Sequence, residues 1–468
     1  MNQIIILTRT KSIVFLIALG VCTFLYNLHI PVVREWDEAT YGINAYEMAQ
    51  TNNPFVVTFG QQSDVYNSKP PLGVWLMAIS TKIFGVNTFS LRFASALLSL
   101  LFSICLFEFI FRQFKDLHWA FLSALILMSS IGFTGWHEAR SGDFDAMVAI
   151  FISLFAFSSY LVLKNKNPQY WFLAALFLSA ACLTKGVYGL VVIPGIGLFF
   201  LLQKQVKLAL SHWQFYTACI GFLFLFLGYY FLREKLSPGY LQAVLQNEVG
   251  ERVFLETNIH KNEIPFYYHS FKLLFYRFQP FILLIPFAVY GVWFEPNKAK
   301  QNFLWLICLS ALSIWTIISF SKTKLVWYDG SLYPFFAILV AHFLAKQTWL
   351  SPPYLYALVF AIWLAVFGLN QNEKDSFSFP KSLEYARHEH SIAEPINVYS
   401  SNFEHPIRYY LLQDSLNGYQ SRFITNLHYL QPNDLLMLRN KVYLDSLHQK
   451  FELVASNGED ILVRIVNQ

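Results

Sequence analysis

The sequence predicts a polytopic α-helical membrane protein that ends in a small α/β domain. Three observations carry this expectation. Of 468 residues, 55% are hydrophobic and only 13% are charged, whereas a soluble domain needs about 25% charged residues to cover its surface. Apolar runs of about the 20 residues that cross a hydrocarbon core recur along the first 370 positions. Beyond Asn370 the pattern changes to short alternating runs separated by polar turns.

The first apolar run, 13–30, follows Arg9 and Lys11. It is longer than a signal-peptide core and lacks an A-x-A-like cleavage site, so it reads as a retained helix. Further spans are expected at 92–111, 118–135, 146–163, 171–184, 187–203, 212–232, 271–293, 302–320, 331–346 and 353–370, about 11 to 13 crossings in all. The basic linkers FRQFKD, KNKNPQ, QKQVK and EPNKAK fall on alternate turns, on the side of Arg9 and Lys11. The positive-inside rule makes that side cytoplasmic. All five cysteines lie inside apolar runs and read as small core residues, so neither a disulfide framework nor a thiolate metal site is expected. Residues 1–370 form the membrane domain and 371–468 the tail. In the tail, strand-like INVYSS, DLLMLRN and FELVASNGEDILVRIV flank a helical HPIRYYLLQ. Asn457-Gly458 suits a two-residue hairpin turn. An odd number of helices places this domain outside the cytoplasm. Membrane lipids are expected partners; nucleic acid is not.

The polar residues that need a reason collect on the opposite face. The first outer loop, 31–91, opens with WDEATYGINAYEMAQ, where Tyr41, Ala45, Met48 and Ala49 recur at helical spacing. This predicts an amphipathic helix along the membrane surface, with Asp37 and Glu38 at its N-terminus, where the helix dipole favours negative charge. The loop then runs on to VYNSKPPLGVWLMAIS, far longer than a connection requires. There Lys69 precedes Pro70 and Pro71, which suit a first helical turn, and a lysine at an interface also simply snorkels. The second loop holds His137, Glu138, Arg140, Asp143 and Asp145. Behind Ser141-Gly142 the aspartates suit either capping of the next helix or holding hydroxyls or a divalent ion. Adjacent His137 and Glu138 are not in themselves a metal motif. Lys185, Lys322 and Lys324 follow, and a long loop near 233–270 carries Glu248, Glu251, Arg252, His260 and Lys261.

Taken in order, WDEATY, NSKPPLGVWLMAISTKIFGVNTFSLRFASAL, EARSGDFDAMVAIF, CLTKGVYGLVVIPG and SFSKTKLVWYDGSLYPFF resemble the polyprenyl-phosphate-sugar-dependent glycosyltransferases of families 39 and 83. Those enzymes have the GT-C fold and include protein O-mannosyltransferases and lipid A aminoarabinose transferases. Asp37, Glu38, Lys69, Gly85, Arg92, Arg140, Asp145, Lys185, Lys324, Tyr328 and Pro334 fall on matching positions, and the resemblance covers residues 13–345. It departs at Ser68, where the lipid A enzymes often carry an acid, and at Asp329 and Gly330, where aliphatic residues are usual.

The resemblance implies transfer of a sugar from a polyprenyl-phosphate carrier to a lipid, glycan or protein acceptor on the outer face of the cytoplasmic (inner) membrane. In such a transfer negative charge develops on the departing phosphate, and pre-placed cations stabilise it. Lys69, Arg140, Lys185 and Lys324, with Tyr328, are the expected donor-phosphate residues. The acceptor hydroxyl needs a base, and Asp37, with Glu38 beside it, is the expected catalytic carboxylate. One base and direct displacement imply inversion. Asp143, Asp145, His137 and Glu138 are candidates for the acceptor or a divalent cation. Two other classes compete. A lipid-linked sugar transporter places ionisable residues near the midplane on broken helices, whereas here they gather at one face. A non-catalytic envelope assembly protein predicts that Asp37 and Lys69 are replaceable.

Overall fold

The computed structural model describes residues 8–33, 36–51, 53–65, 67–247, 268–321, 325–349, 351–371, 378–400, 405–427, 430–439, 443–444, 447, 449–457 and 460–466. Among these, seven helices are long and apolar enough to cross a membrane, or eight with one bent pair. Each apolar segment expected from the sequence corresponds to a helix. They are α1 (Arg9–Gly20, prolonged by a π turn to Leu25), α4 (Thr88–Phe114), α5 (Leu117–Met128), α7 (Asp145–Asn165), α8 (Tyr170–Lys185), α9 (Ile193–Leu202), α11 (Trp213–Leu236), α15 (Lys298–Phe320), α16 (Tyr333–Ala345) and α17 (Pro352–Gln371). The remaining span is the pair Phe271–Arg277 and Phe281–Trp293, bent by 115°, with Pro280 between them to break the helix.

The helices start and stop where local chemistry dictates. Asn87 and Ser90 form a reciprocal capping box before α4, and the Asp116 carboxylate caps α5 by accepting from Trp119 N–H at 3.0 Å. α8 ends at Gly186, whose φ of +60° suits glycine. Ser99, Ser103, Ser153 and Ser159 inside the spans donate to the carbonyl one turn back, so these hydroxyls need no water. α7 is 78% and the Val326–Ala345 segment 89% buried, whereas α11 and α17 are only 22% buried. The first two form the centre of the bundle; the last two face lipid. Cys182 is buried, but Cys22 and Cys105 are exposed. The expectation that the cysteines are core residues therefore fails for these two, which lie on outer helix faces where apolar side chains meet lipid as readily as protein.

The ends of the bundle differ as the linker charges imply. At one end Arg9 and Arg112 bond Glu108, Lys164 donates to the Gln113 carbonyl, and Lys300 pairs with Asp116 at 2.7 Å. The other end carries α2 (Trp36–Thr51), the hairpin β1 (Thr58–Phe59) and β2 (Gln62–Ser63), α3 (Leu72–Phe84) and the C-terminal domain. That domain begins after α17 with α18 (Phe379–His388), followed by β3 (Ile396–Tyr399), α19 (His405–Leu416), β4 (Arg422–Ile424), β5 (Leu435–Leu438), β6 (Phe451–Asn457) and β7 (Asp460–Ile465). The sheet order is β4-β3-β5-β7-β6, with β3 parallel to β4 and β5, and β7 antiparallel to β5 and β6. Asn457 pairs with Asp460 across the expected hairpin. Alternate residues of the central strands face opposite cores: Leu435, Met437 and Leu462 one way, Leu436, Leu438 and Val463 the other.

The first of those cores is shared with the membrane domain. Ala39, Tyr41, Ile43, Val74, Met77 and Leu91 cluster with Ile407, Tyr409, Tyr410 and Leu383. α2 is thus not a helix resting on lipid, as its spacing suggested. Ten of its sixteen residues are buried, because α3 covers one side and α19 another. Gly42 permits the second contact, since a Cβ there would come within 2.6 Å of the Tyr409 ring.

Candidate active site

Asp37 and Lys69 meet. Asp37 lies in the first turn of α2 with its side chain 47% exposed, and Lys69 Nζ stands 3.5 Å from its Oδ2. A further contact holds the lysine: its Nζ donates to the Tyr41 hydroxyl at the edge of the Tyr41 ring, which stacks on Phe144 at 4.2 Å. Gly73 explains the glycine in the KPPLG phrase, because a Cβ there would enter the Phe144 ring. Behind Lys69 the backbone is tied down: Lys69 N–H donates to Asn67, Asn67 N–H to Asp64, and Asn67 Nδ2 to Asn44 of α2. Arg233, at the end of α11, is fully buried and donates to the Val57 carbonyl at 3.0 Å and to the Ser63 hydroxyl at 3.2 Å. Tyr240 donates to the Ser68 carbonyl at 2.8 Å.

Glu38 faces the other way. It accepts from Arg92 Nε at 2.6 Å, from Arg92 Nη2 at 2.9 Å and from Gly142 N–H at 2.8 Å. Arg92 also donates to the Leu28 and Pro31 carbonyls. Burial pushes the Glu38 carboxyl up, but Arg92 and the Gly142 N–H outweigh it and hold the group below its ordinary range. Glu38 therefore ties α2 to α4 and to the second loop. Beside this pair a cavity of about 40 Å³ is lined by Thr134, Trp136, Arg140 and Asn370. Arg140 donates to the Thr23 and Tyr26 carbonyls at 2.8 and 3.0 Å, which places it with this cavity and the end of α1.

The second-loop acids each take a separate partner. Asp145, the first residue of α7, pairs with Lys185, whose Nζ lies 5.2 Å from the rings of Tyr188 and Tyr328. A Cβ on Gly186 would stand 3.8 Å from Pro70 Cδ, so this pair adjoins the Lys69 turn. His137, at φ +61°, stacks on Trp327 at 3.6 Å and sets Nδ1 2.8 Å from Asp143 Oδ2. Burial, helped by the charges of Asp37 and Glu38 and opposed by His137, raises the Asp143 carboxyl. Glu138 pairs with Arg277 at 2.9 Å, and Arg277 also binds Asp329, which accepts from the Tyr333 hydroxyl. Burial, with the charges of Asp145 and Asp329, raises the Glu138 carboxyl well above its usual range against the pull of Arg277. One arginine thus serves two carboxyl groups. A Cβ on Gly330 would lie 2.5 Å from both Glu138 oxygens. That gives Asp329 and Gly330 their physical reason: one completes the buried ion cluster, the other leaves room for it.

Among the described residues no group of three or more His, Cys, Asp or Glu converges to hold a metal ion. The four acid and histidine candidates are engaged elsewhere, so they do not fit a divalent cation in this arrangement. Lys322 and Lys324 lie outside the described residues, as do Glu248, Glu251, Arg252, His260 and Lys261. Sequence reading missed Arg233 and Arg277. Arg277 had a signal: a charge inside an apolar span normally faces the bundle interior and finds a partner there.

Comparisons with known proteins agree with this architecture. Residues 68–230 match the family model described as dolichyl-phosphate-mannose-protein mannosyltransferase. The chain is 28% identical over 329 residues to an uncharacterized protein of Aquifex aeolicus (strain VF5), covering 69% of this chain and 62% of that one. It is also 28% identical over 316 residues to the undecaprenyl phosphate-alpha-4-amino-4-deoxy-L-arabinose arabinosyl transferase of Shewanella sediminis (strain HAW-EB3), covering 65% and 55%. The chain thus spans less than two thirds of the length of these two relatives. The crystal structure of ArnT from Cupriavidus metallidurans bound to undecaprenyl phosphate superposes with a TM-score of 0.76 at 14% identity, over 97% of this chain and 98% of that one. From first helix to last strand, this is a multi-span membrane protein with the GT-C glycosyltransferase fold.

Proposed function

We propose that the chain is an integral membrane glycosyltransferase that moves a sugar from a polyprenyl-phosphate carrier to an acceptor hydroxyl. The observation that carries this reading is the meeting of Asp37 and Lys69 at 3.5 Å, one partner half exposed and the other enclosed by Tyr41 and Phe144. A base and a phosphate-binding cation stand side by side where a substrate can reach both. The likeness to an arabinosyl transferase and to ArnT holding undecaprenyl phosphate supports the donor class.

In this mechanism Lys69 takes the donor phosphate, and the Lys185–Asp145 pair with Tyr328 backs it. Phosphate then competes with Asp37 for Lys69 and leaves the carboxylate to the acceptor. Asp37 receives the acceptor proton as the hydroxyl oxygen attacks the anomeric carbon. The bond to phosphate breaks, its electron pair leaves with the phosphate, and configuration inverts. A positioned base is worth about 10²–10⁴-fold in rate, and donors aimed at the departing phosphate add to that. Glu38 contributes by holding the first turn of α2 in place. The active site and C-terminal domain face the periplasm, as the basic linkers at the opposite end support.

The test compares envelope lipids, glycans and proteins of wild-type, deletion and Asp37→Asn strains by mass spectrometry. A sugar mass is expected to vanish in both mutants while a polyprenyl-phosphate sugar accumulates and the variant protein stays in the membrane. An Asp37→Asn strain with the modification intact overturns the assignment.

A further inference from the structure

The stretch REKLSPGY, residues 233–240, ends α11 and turns the chain back toward the first loop. Gly239, at φ +95°, makes the turn. The Glu234 carboxylate fixes it by accepting from Gly239 N–H at 2.9 Å and from Leu241 N–H at 2.7 Å. Tyr240, which opens the short helix Tyr240–Val244, is fully buried. Its hydroxyl donates to the Ser68 carbonyl at 2.8 Å, one residue before Lys69.

Arg233 holds the same loop further upstream. Its buried guanidinium donates to the Val57 and Asp64 carbonyls at 3.0 and 3.3 Å and to the Ser63 hydroxyl at 3.2 Å. It also lies 5.2 Å from the centre of the Tyr240 ring, so the two side chains form one block. From Asp64 the tie continues to the lysine: the Asp64 carboxylate accepts from Asn67 N–H at 2.9 Å, and Asn67 Oδ1 accepts from Lys69 N–H at 3.3 Å. A segment about 170 residues along the chain thus fixes the backbone of Lys69, while α2 receives its ammonium group at Tyr41 and Asp37. Lysine is a point charge on a flexible four-carbon stem. The affinity it offers a phosphate therefore depends on how much freedom is already removed before the ligand arrives.

Resting on the reading of Lys69 as the donor-phosphate cation, we propose that Arg233 and Tyr240 are positioning residues for the lipid-linked donor. They pre-set the Lys69 turn and act on the phosphate through that lysine. Donor recognition is on this account shared between the first loop and the outer end of α11.

The experiment uses full-length protein in lipid nanodiscs, with undecaprenyl phosphate as the binding probe and thermal melting followed in parallel. Tyr240→Phe keeps the buried ring and deletes only the bond to Ser68; Arg233→Lys keeps the charge and loses the fork. Tyr160→Phe is the structural control, because it deletes a matching bond, from the Tyr160 hydroxyl to the Ala299 carbonyl at 2.9 Å, at the opposite end of the bundle. Loss of one hydrogen bond predicts about two- to tenfold weaker binding in Tyr240→Phe and a larger loss in Arg233→Lys, with Tyr160→Phe binding as wild type does. In a Lys69→Met background Tyr240→Phe should change binding by less than about twofold, since residues that act through one contact are not additive. Wild-type affinity in both Tyr240→Phe and Arg233→Lys, equal weakening in Tyr160→Phe, or the same loss with and without Lys69 overturns the assignment and leaves Arg233 and Tyr240 as ties of the fold alone. If Lys69→Met binds undecaprenyl phosphate as tightly as wild type, or wild type binds none, the donor reading of Lys69 itself fails, and the positioning role with it.

Discussion

Asp37 and Glu38 are neighbours in sequence, yet their replacement should fail in opposite ways. Glu38→Gln puts one amide oxygen where a carboxylate now accepts three N–H groups, from Arg92 at 2.6 and 2.9 Å and from Gly142 at 2.8 Å. The new amide NH₂ points at donors, and the buried Arg92 keeps its charge without a counter-ion. Breaking one side of a buried pair costs about 3–5 kcal/mol. Asp37→Asn weakens a half-exposed contact with Lys69 at 3.5 Å, a class of interaction worth under about 1 kcal/mol, but it deletes the proposed base and should slow transfer by about 10²–10⁴-fold. Thermal unfolding of detergent-purified protein, followed by tryptophan fluorescence, reads the first effect; transfer into the acceptor pool reads the second. The expected pattern is a large fall in melting temperature for Glu38→Gln alone and a near-native melt with lost turnover for Asp37→Asn. If Glu38→Gln melts like wild type and loses turnover as steeply as Asp37→Asn, Glu38 takes part in the chemistry and the reasoning is refuted.

Three other outcomes follow from the same geometry. Because the Glu38 carboxyl sits below its ordinary range, its stabilisation is fully present above the unfolded-state value of about 4.3 and is lost as pH falls through the folded value; the melting gap between wild type and Glu38→Gln should therefore shrink below about pH 4. Burial holds Glu138 toward its protonated form, so Glu138→Gln should cost under about 1.5 kcal/mol as a near-isosteric change, whereas Asp329→Asn uncovers Arg277 and should cost about 3–5 kcal/mol; equal melts for the two variants would contradict the charge assignment. Gly330→Ala drives a methyl to within 2.5 Å of the Glu138 oxygens and should cost about 1–3 kcal/mol, while Gly291→Ala in a helix with open space around it should be neutral or stabilising by up to about 1 kcal/mol; denaturation midpoints compare them.

Much of the fold is legible from hydropathy because lipid enforces a simple rule. A span must be apolar for its whole length and satisfy its own backbone, so runs such as 146–163 and 302–320 announce themselves. The placement of α2 is not legible in the same way. Its mixed pattern of Tyr41, Ala45 and Met48 suits a lipid surface as well as a protein one, and the partner that covers it is more than 350 residues away, at Tyr409. The candidate site divides similarly. That Asp37 and Lys69 matter is readable from motif order, but the split between Asp37 and Glu38 depends on Arg92 reaching across from α4. No spacing rule encodes that reach. The second-loop acids look like one cluster in sequence, and only the folded chain sends Asp145, Asp143 and Glu138 to Lys185, His137 and Arg277.

The seating of Tyr409 against Gly42 has a consequence for the order in which the molecule is made. Helix α2 is synthesised among the first fifty residues and leaves the translocation machinery early, yet one of its packed faces is supplied by a helix that begins only at His405. For most of synthesis the turn bearing Asp37 is therefore present without the wall that fixes it. A chain released before α19 is made carries the motif residues but not the packed wall beside them. On the proposed reading, the centre is complete only once α19 has docked on α2, and a truncated polypeptide lacks the wall that fixes the turn bearing its base.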